Sequence, residues 1–164
     1  MAQENEPRYS TSFPSQSTTH LRLATVIDLP AILAIEQASF PLPWKEEAFR
    51  SELRNPCSQL WVAEEETHII GYACAWFIHD EGQIVNVAVL PQYRRYGVGK
   101  TLTQHIVQEA KIRGVRTLSL EVRKSNHAAV ELYKAFGFQT VTIRKQYYEN
   151  NEDALLMVCA VSPC

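Results

Sequence analysis

The chain has 164 residues, 46% of them hydrophobic, with 16 Lys and Arg against 18 Asp and Glu for a formal net charge of −2. That length and composition suit one soluble globular domain with a substantial core. The slightly acidic balance excludes a general nucleic-acid binder or a membrane-surface protein, since both need a basic face.

Cys57, Cys74, Cys159 and Cys164 have no C-x-x-C pairing, and the histidines form no ligand spacing with them, so no metal site is expected. Residues 1–18 are polar and rich in Pro, Ser and Thr, without the apolar core of a signal peptide, and read as a flexible tail ahead of a single domain over 19–164. No apolar run reaches the length of a membrane span, which makes the cytoplasm the expected location.

In chain order, Asp28 is placed to cap a helix through "LPAILAIEQASF", with Leu29, Ile32 and Leu33 on one side. A short polar helix follows from Lys45 to Leu53. Three strand-like runs come next, "QLWVAEE", "HIIGYACAWFI" and "GQIVNVAVL", separated by turn signals at Glu66 and at Asp80-Glu81-Gly82. They predict an antiparallel meander, and the apolar continuity of the third run places it near the sheet centre.

After Pro91, Val98, Leu102, Ile106 and Ala110 recur every four residues and predict a helix closed by Gly114. "VRTLSLEV" is a strand with Leu118, Leu120 and Val122 on one face and Ser119 and Glu121 on the other. Strand, helix, strand in this order imply a right-handed parallel crossover. A helix from Ser125 to Phe136, ended by Gly137, leads to two last strands, "FQTVTIRKQYY" and "DALLMVCAV". The fold class is α/β: a mixed, mostly antiparallel sheet with a central parallel strand pair, flanked by helices.

The segment "RRYGVGKT", Arg94–Thr101, ends like a nucleoside-triphosphate loop, but the first glycine of that motif would have to stand at Arg94. The dinucleotide fingerprint fails as well, because its third glycine would fall on Leu102. Two glycines among Arg94, Arg95 and Lys100 at a helix start still make an anion site, since free backbone N–H groups and the positive helix end favour negative charge.

Ligands in open α/β sheets sit beyond the carboxyl ends of parallel strands. Those ends carry the glycine loop and the segment Glu121–Asn126, so Glu121 is the first candidate for chemistry, with a simple ion pair to an Arg such as Arg123 as the alternative. Asn126 and Tyr133 lie seven residues apart, two turns along nearly one helix face. Tyr133 could point into the same cleft or serve in packing.

"NVAVLPQYRRYGVGK", "LSLEVRKSNHAAVELYKAFGF" and "RKQYYENNEDALLM" occur in the order found in the GNAT superfamily of acetyl-CoA-dependent N-acetyltransferases, which the chain resembles from Ile84 to Val158. Within it, the resemblance is to RimI-like N-terminal acetyltransferases. It implies that the backbone of Val87, Ala88 and Val89 pairs with pantetheine and that Arg95, Tyr96, Gly97, Val98, Gly99 and Lys100 wrap the pyrophosphate of acetyl-CoA, with Asn126 also on the cofactor. It further implies Glu121 as general base and Tyr133 as general acid.

"FPLPW", ending at Trp44, and the pair Tyr147-Tyr148 resemble the loops that flank the peptide slot, and Glu152-Asp153 the recurrent acidic pair before the last strand. The implied acceptor is a protein N-terminus, such as the N-terminal Ala of a small-subunit ribosomal protein. A lysine side chain or small amine is the alternative acceptor. Lysine's pKa of about 10.4 lies roughly 2.5 units above an α-amine, which makes its deprotonation about 3 kcal/mol harder at neutral pH. A non-catalytic acyl-CoA-binding module is the alternative of a different class.

Overall fold

The computed structural model describes residues 18–162, so nearly all of the segment expected to be a tail lies outside the described residues. The elements are β1 (His20–Leu23), α1 (Leu29–Ser39), α2 (Glu46–Arg54), β2 (Ser58–Glu65), β3 (His68–Ile78), β4 (Glu81–Val89), α3 (Val98–Ile112), β5 (Thr117–Arg123), α4 (His127–Ala135), β6 (Gln139–Arg144) and β7 (Ala154–Ala160). They build a seven-stranded sheet in the order β1-β2-β3-β4-β5-β7-β6. All neighbouring strands are antiparallel except β4 and β5. The expected mixed sheet with one central parallel pair is therefore present.

Alternation along the strands distributes two cores. Leu60, Val62, Tyr72, Cys74 and Ala88 face α1 and α2, where they meet Leu29, Ile32, Ile35 and Phe49. Trp61, Ala63, Ala73, Ala75 and Val89 face the other way, onto Val98, Leu102, Ile106 and Ala110 of α3 and Val130 and Tyr133 of α4. The four-residue period read in α3 is thus the stripe that covers the sheet.

The parallel pair is short. It runs only from Glu81 opposite Thr117 to Ile84 opposite Leu120, and Gly82 permits its close approach, since a Cβ there would stand 2.6 Å from Leu118 Cδ2. Just beyond Ile84 the β3–β4 register slips, with Ala75 opposite Ile84 but Cys74 opposite Asn86, so that Val85 is an extra residue. A bulge of this kind bends its strand and ends local pairing. β4 and β5 part here, and the gap between them becomes the site.

Three sequence expectations are corrected. The Asp28 side chain does not cap α1: its carboxylate instead accepts from the Thr25 N–H at 2.7 Å and from both terminal nitrogens of Arg22 at 2.8 Å. That ion pair holds the carboxyl down to about 2, with the Arg22 hydrogen bonds as the main cause. It also anchors β1, a strand the sequence reading had not separated. Finally, β6 stops at Arg144, so Tyr147 and Tyr148 lie in the β6–β7 loop rather than in the strand.

Candidate active site

The parted strands enclose a cleft of about 460 Å³. Ile84–Val87 of β4 form one wall and Leu120–Arg123 of β5 the other, while Asn126, Ala129 and Tyr133 of α4 close one side. The α1–α2 loop, with Phe40, Leu42 and Trp44, and the β6–β7 loop, with Tyr148, Glu149 and Asn150, border its mouth. Glu121, Tyr133, Asn126, Val87, Trp44 and Tyr148 thus line one cleft.

Glu121 reaches the cleft because Leu120 and Val122, its neighbours on β5, turn into the core at 1% and 6% exposure. Its ion-pair partner is Arg144, 3.2 Å away, rather than Arg123. The Tyr147 hydroxyl donates to Glu121 as well, and this bond is the main cause of the hydroxyl's raised pKa. Arg123 is drawn elsewhere: it pairs with Glu152 at 3.2 Å and lies 3.9 Å above the Tyr148 ring. Register explains the choice, since Arg123 stands opposite Ala154, at the root of the loop that carries Glu152.

Tyr133 is 7% exposed and packs its ring against Phe138 at 5.7 Å. Its hydroxyl has no hydrogen-bond partner among the described residues, and burial, followed by Tyr148, pushes its pKa up to about 12. Asn126 caps α4, its Oδ1 accepting from the Ala129 N–H at 3.2 Å. The helix consequently starts at His127, two residues later than expected. Glu152 binds the start of the same segment through the Ser125 N–H at 2.9 Å, and its carboxyl is held down to about 2, chiefly by Ser125.

At the other end of β4, Leu90 N–H donates to Ile70 O on β3. By alternation, Ala88 also turns its backbone groups to β3, whereas Val87 and Val89 turn theirs to the unpaired edge facing β5. Of the three residues expected to pair with pantetheine, Val87 and Val89 therefore present their backbone groups to that edge, while Ala88 stands opposite Tyr72. The Val89 carbonyl already accepts from Arg94 Nε at 3.0 Å, which fixes the start of the glycine loop.

In that loop Arg95 and Gly97 take φ values of 68° and 86°, and Tyr96 is 81% exposed. The first backbone bond within α3 is Thr101 N–H to Gly97 O at 2.9 Å, and no side chain caps the helix. The N–H groups of Val98, Gly99 and Lys100 therefore lack intrahelical partners. A Cβ at Gly97 would meet nothing within 4 Å. An open, cationic helix start beside a strand edge with spare donors and acceptors fits a pyrophosphate joined to an amide-bearing arm, the chemistry of coenzyme A.

The sequence reading missed one group in this site. Glu36 of α1 lines the cleft yet is 1% exposed. Its Oε1 accepts from the Trp44 N–H at 2.9 Å, and its Oε2 accepts from the Tyr72 hydroxyl and from Asn86 Nδ2 at 3.3 Å. Asn86 Nδ2 also donates to the Tyr72 oxygen at 2.8 Å. The available signal was a carboxylate one turn after Ile32, on the buried stripe of an otherwise apolar helix.

A mixed sheet that parts at a bulge beside a glycine-started helix is an acetyltransferase architecture, and the sequence agrees: the chain belongs to the Acetyltransferase (GNAT) family, whose pattern matches residues 29–138. It is an acetyl-CoA-dependent N-acetyltransferase. Within the family it is similar to the [ribosomal protein bS18]-alanine N-acetyltransferase of Escherichia coli strain K12, 38% identical over 138 residues that cover 82% of this chain and 93% of the relative. A Bacillus subtilis relative is 45% identical over 132 residues, 79% of this chain and 87% of that one. The crystal structure of the Escherichia coli ribosomal-protein-S18-alanine N-acetyltransferase superposes with a TM-score of 0.83 at 35% identity, over 90% of this chain and 96% of that one.

Among the described residues, no cluster of His, Cys, Asp and Glu could hold a metal ion, and no helix is long and apolar enough to cross a membrane.

Proposed function

We propose that this protein acetylates the α-amine of a protein N-terminus, with the N-terminal Ala of ribosomal protein bS18 as acceptor. The observation that carries the proposal is the placement of Glu121 and Tyr133 on one cleft where the edge of β4 is unpaired. The similarity to bS18-alanine acetyltransferases over more than four-fifths of the chain supports the acceptor.

When bound, acetyl-CoA supplies a thioester carbonyl as the electrophile. The N–H groups of Val98, Gly99 and Lys100, with Arg95 and Lys100, hold its phosphates, and Gly97 keeps the approach open. Val87 and Val89 offer backbone groups to the pantetheine arm, and an N–H on this edge is positioned to favour the developing oxyanion. Asn126, whose side-chain NH2 has no hydrogen-bond partner among the described residues, borders the same arm.

An N-terminal ammonium, with an ordinary pKa of about 7.7 to 8.0, must lose a proton before attack. Glu121 takes it, directly or through water, and the half-exposed Arg144 gives way as the ammonium replaces it as the carboxylate's partner. The amine nitrogen bonds the thioester carbon and sheds its second proton to water, and the C–S bond breaks as Tyr133 hands its proton to the departing sulfur and is reprotonated from solvent. Burial pushes the Tyr133 hydroxyl up to about 12, so it carries its proton throughout the neutral range. Trp44 and Tyr148 flank the acceptor at the mouth of the cleft, and Tyr147 holds Glu121 in place. No cysteine is needed as a nucleophile.

Kinetics of Glu121→Gln and Tyr133→Phe test these roles. Each variant should lose about 10²-fold or more in kcat on an N-terminal Ala peptide, while binding acetyl-CoA within about threefold of wild type by calorimetry. Wild-type kcat in Tyr133→Phe would remove the acid role.

A further inference from the structure

We propose that Glu36 is a positioning residue that sets the acceptor wall of the cleft by holding the α1–α2 loop to the sheet. This deepens the reading above and rests on the loop Phe40–Trp44 flanking the acceptor.

The loop has few ways to be held. Pro41 and Pro43 have no N–H, so after Phe40 only Leu42 and Trp44 can donate backbone hydrogen bonds from it. Phe40 N–H is already committed to Glu36 O at the end of α1. Trp44 N–H goes to Glu36 Oε1, and the Trp44 ring then leans on Phe49 at 5.4 Å. A single carboxylate oxygen thus determines where the loop rejoins the protein.

The other oxygen is fixed from the sheet. Oε2 receives Tyr72 of β3, which is fully buried, and Asn86 of β4, which stands at the bulge where the cleft opens. Asn86 adjoins Val87, whose backbone faces the cleft. One buried side chain therefore joins the acceptor loop to the strand that borders the acetyl donor. A shift of this carboxylate would misplace the two partners of the reaction relative to each other, which is the quantity to which transfer rates respond most steeply.

Glu36 has no cationic partner among the described residues, and burying a carboxylate on hydrogen bonds alone is costly. An apolar side chain would pack α1 onto the sheet at lower cost but could not receive Trp44. Glutamine can stand in. Its oxygen accepts from Trp44, and its amide finds the Asn86 oxygen once the Asn86 side chain turns over, a turn that breaks only its bonds to Glu36 and Tyr72.

That contrast provides the test. In Glu36→Met, amide hydrogen exchange across residues 40–44 should quicken, KM for an N-terminal Ala peptide should rise, and kcat/KM should fall about 10- to 100-fold. Acetyl-CoA affinity should stay within about threefold of wild type, because the α3 cradle is untouched. Glu36→Gln, which restores an acceptor for Trp44, should keep loop protection and most of the kcat/KM.

Wild-type exchange and KM in Glu36→Met would overturn the proposal, as would a Glu36→Gln variant no better than Glu36→Met. If Glu36→Met does not fold, Tyr72→Phe removes one donor while keeping the core shape, and should move the same readouts in the same direction by less; no movement overturns the proposal. If the wild-type protein acetylates no free-amine peptide, the functional reading fails, while hydrogen exchange, which needs no acceptor, still decides the role of Glu36.

Discussion

Tyr133 and Glu121 face one cleft but live in different surroundings, and in the proposed mechanism those surroundings divide the labour between them. Tyr133 is enclosed by Phe138 and α4, so the charged form is disfavoured and the pKa climbs to about 12. Glu121 sits at the rim, paired with Arg144 and beside Tyr147. A raised acid pKa means that the proton-donating form survives to higher pH, which fixes the sign of the pH dependence. The rate should climb as the acceptor amine deprotonates near pH 8, then stay level from about pH 8.5 to about 10.5. A falling limb near pH 10 that disappears in Tyr133→Phe would show that burial does not hold the tyrosine protonated.

At the scale of elements, the helix start at Gly97 and the bulge at Val85 frame the surface proposed to bind acetyl-CoA. Gly97 has φ of 86° and open space at its Cβ. Gly97→Ala should accordingly cost only about 1 kcal/mol of stability through backbone strain. Its methyl group, however, projects into the phosphate cradle, so acetyl-CoA affinity measured by calorimetry should weaken by about tenfold or more. Unchanged affinity would place the phosphates elsewhere.

Much of this level was legible in the sequence, for identifiable reasons. The strict alternation of Leu118, Leu120 and Val122 with Ser119 and Glu121 gave β5 its faces, and the four-residue period after Val98 gave α3 its buried stripe. The bulge was not legible, because Ile84, Val85 and Val87 are apolar in succession and carry no phase. β1 escaped because it spans four mostly exposed residues held by Arg22, whose partners Asp28 and Glu64 are set by tertiary contact. The pairing of Glu121 with Arg144 instead of Arg123 depends on cross-strand register, which no local pattern encodes. Glu36 could have been flagged as a charge on an apolar helix face, but not its partners, which lie 8, 36 and 50 residues away.

For the molecule as a whole, a single sheet opens into two halves at its one parallel seam, with the anion cradle at one end of the cleft and two aromatic loops at the other. On the proposed reading, a long donor enters from one side and an extended chain end from the opposite side. The central claim is therefore that acetyl passes to the end of a polypeptide. The most direct measurement is mass spectrometry of peptides incubated with the protein and acetyl-CoA: free N-terminal Ala peptides, peptides altered at the first residue, and α-blocked peptides that contain lysine. The account predicts one added acetyl group, on the α-amine, fastest on the Ala peptides. Product confined to lysines of the blocked peptides would contradict it.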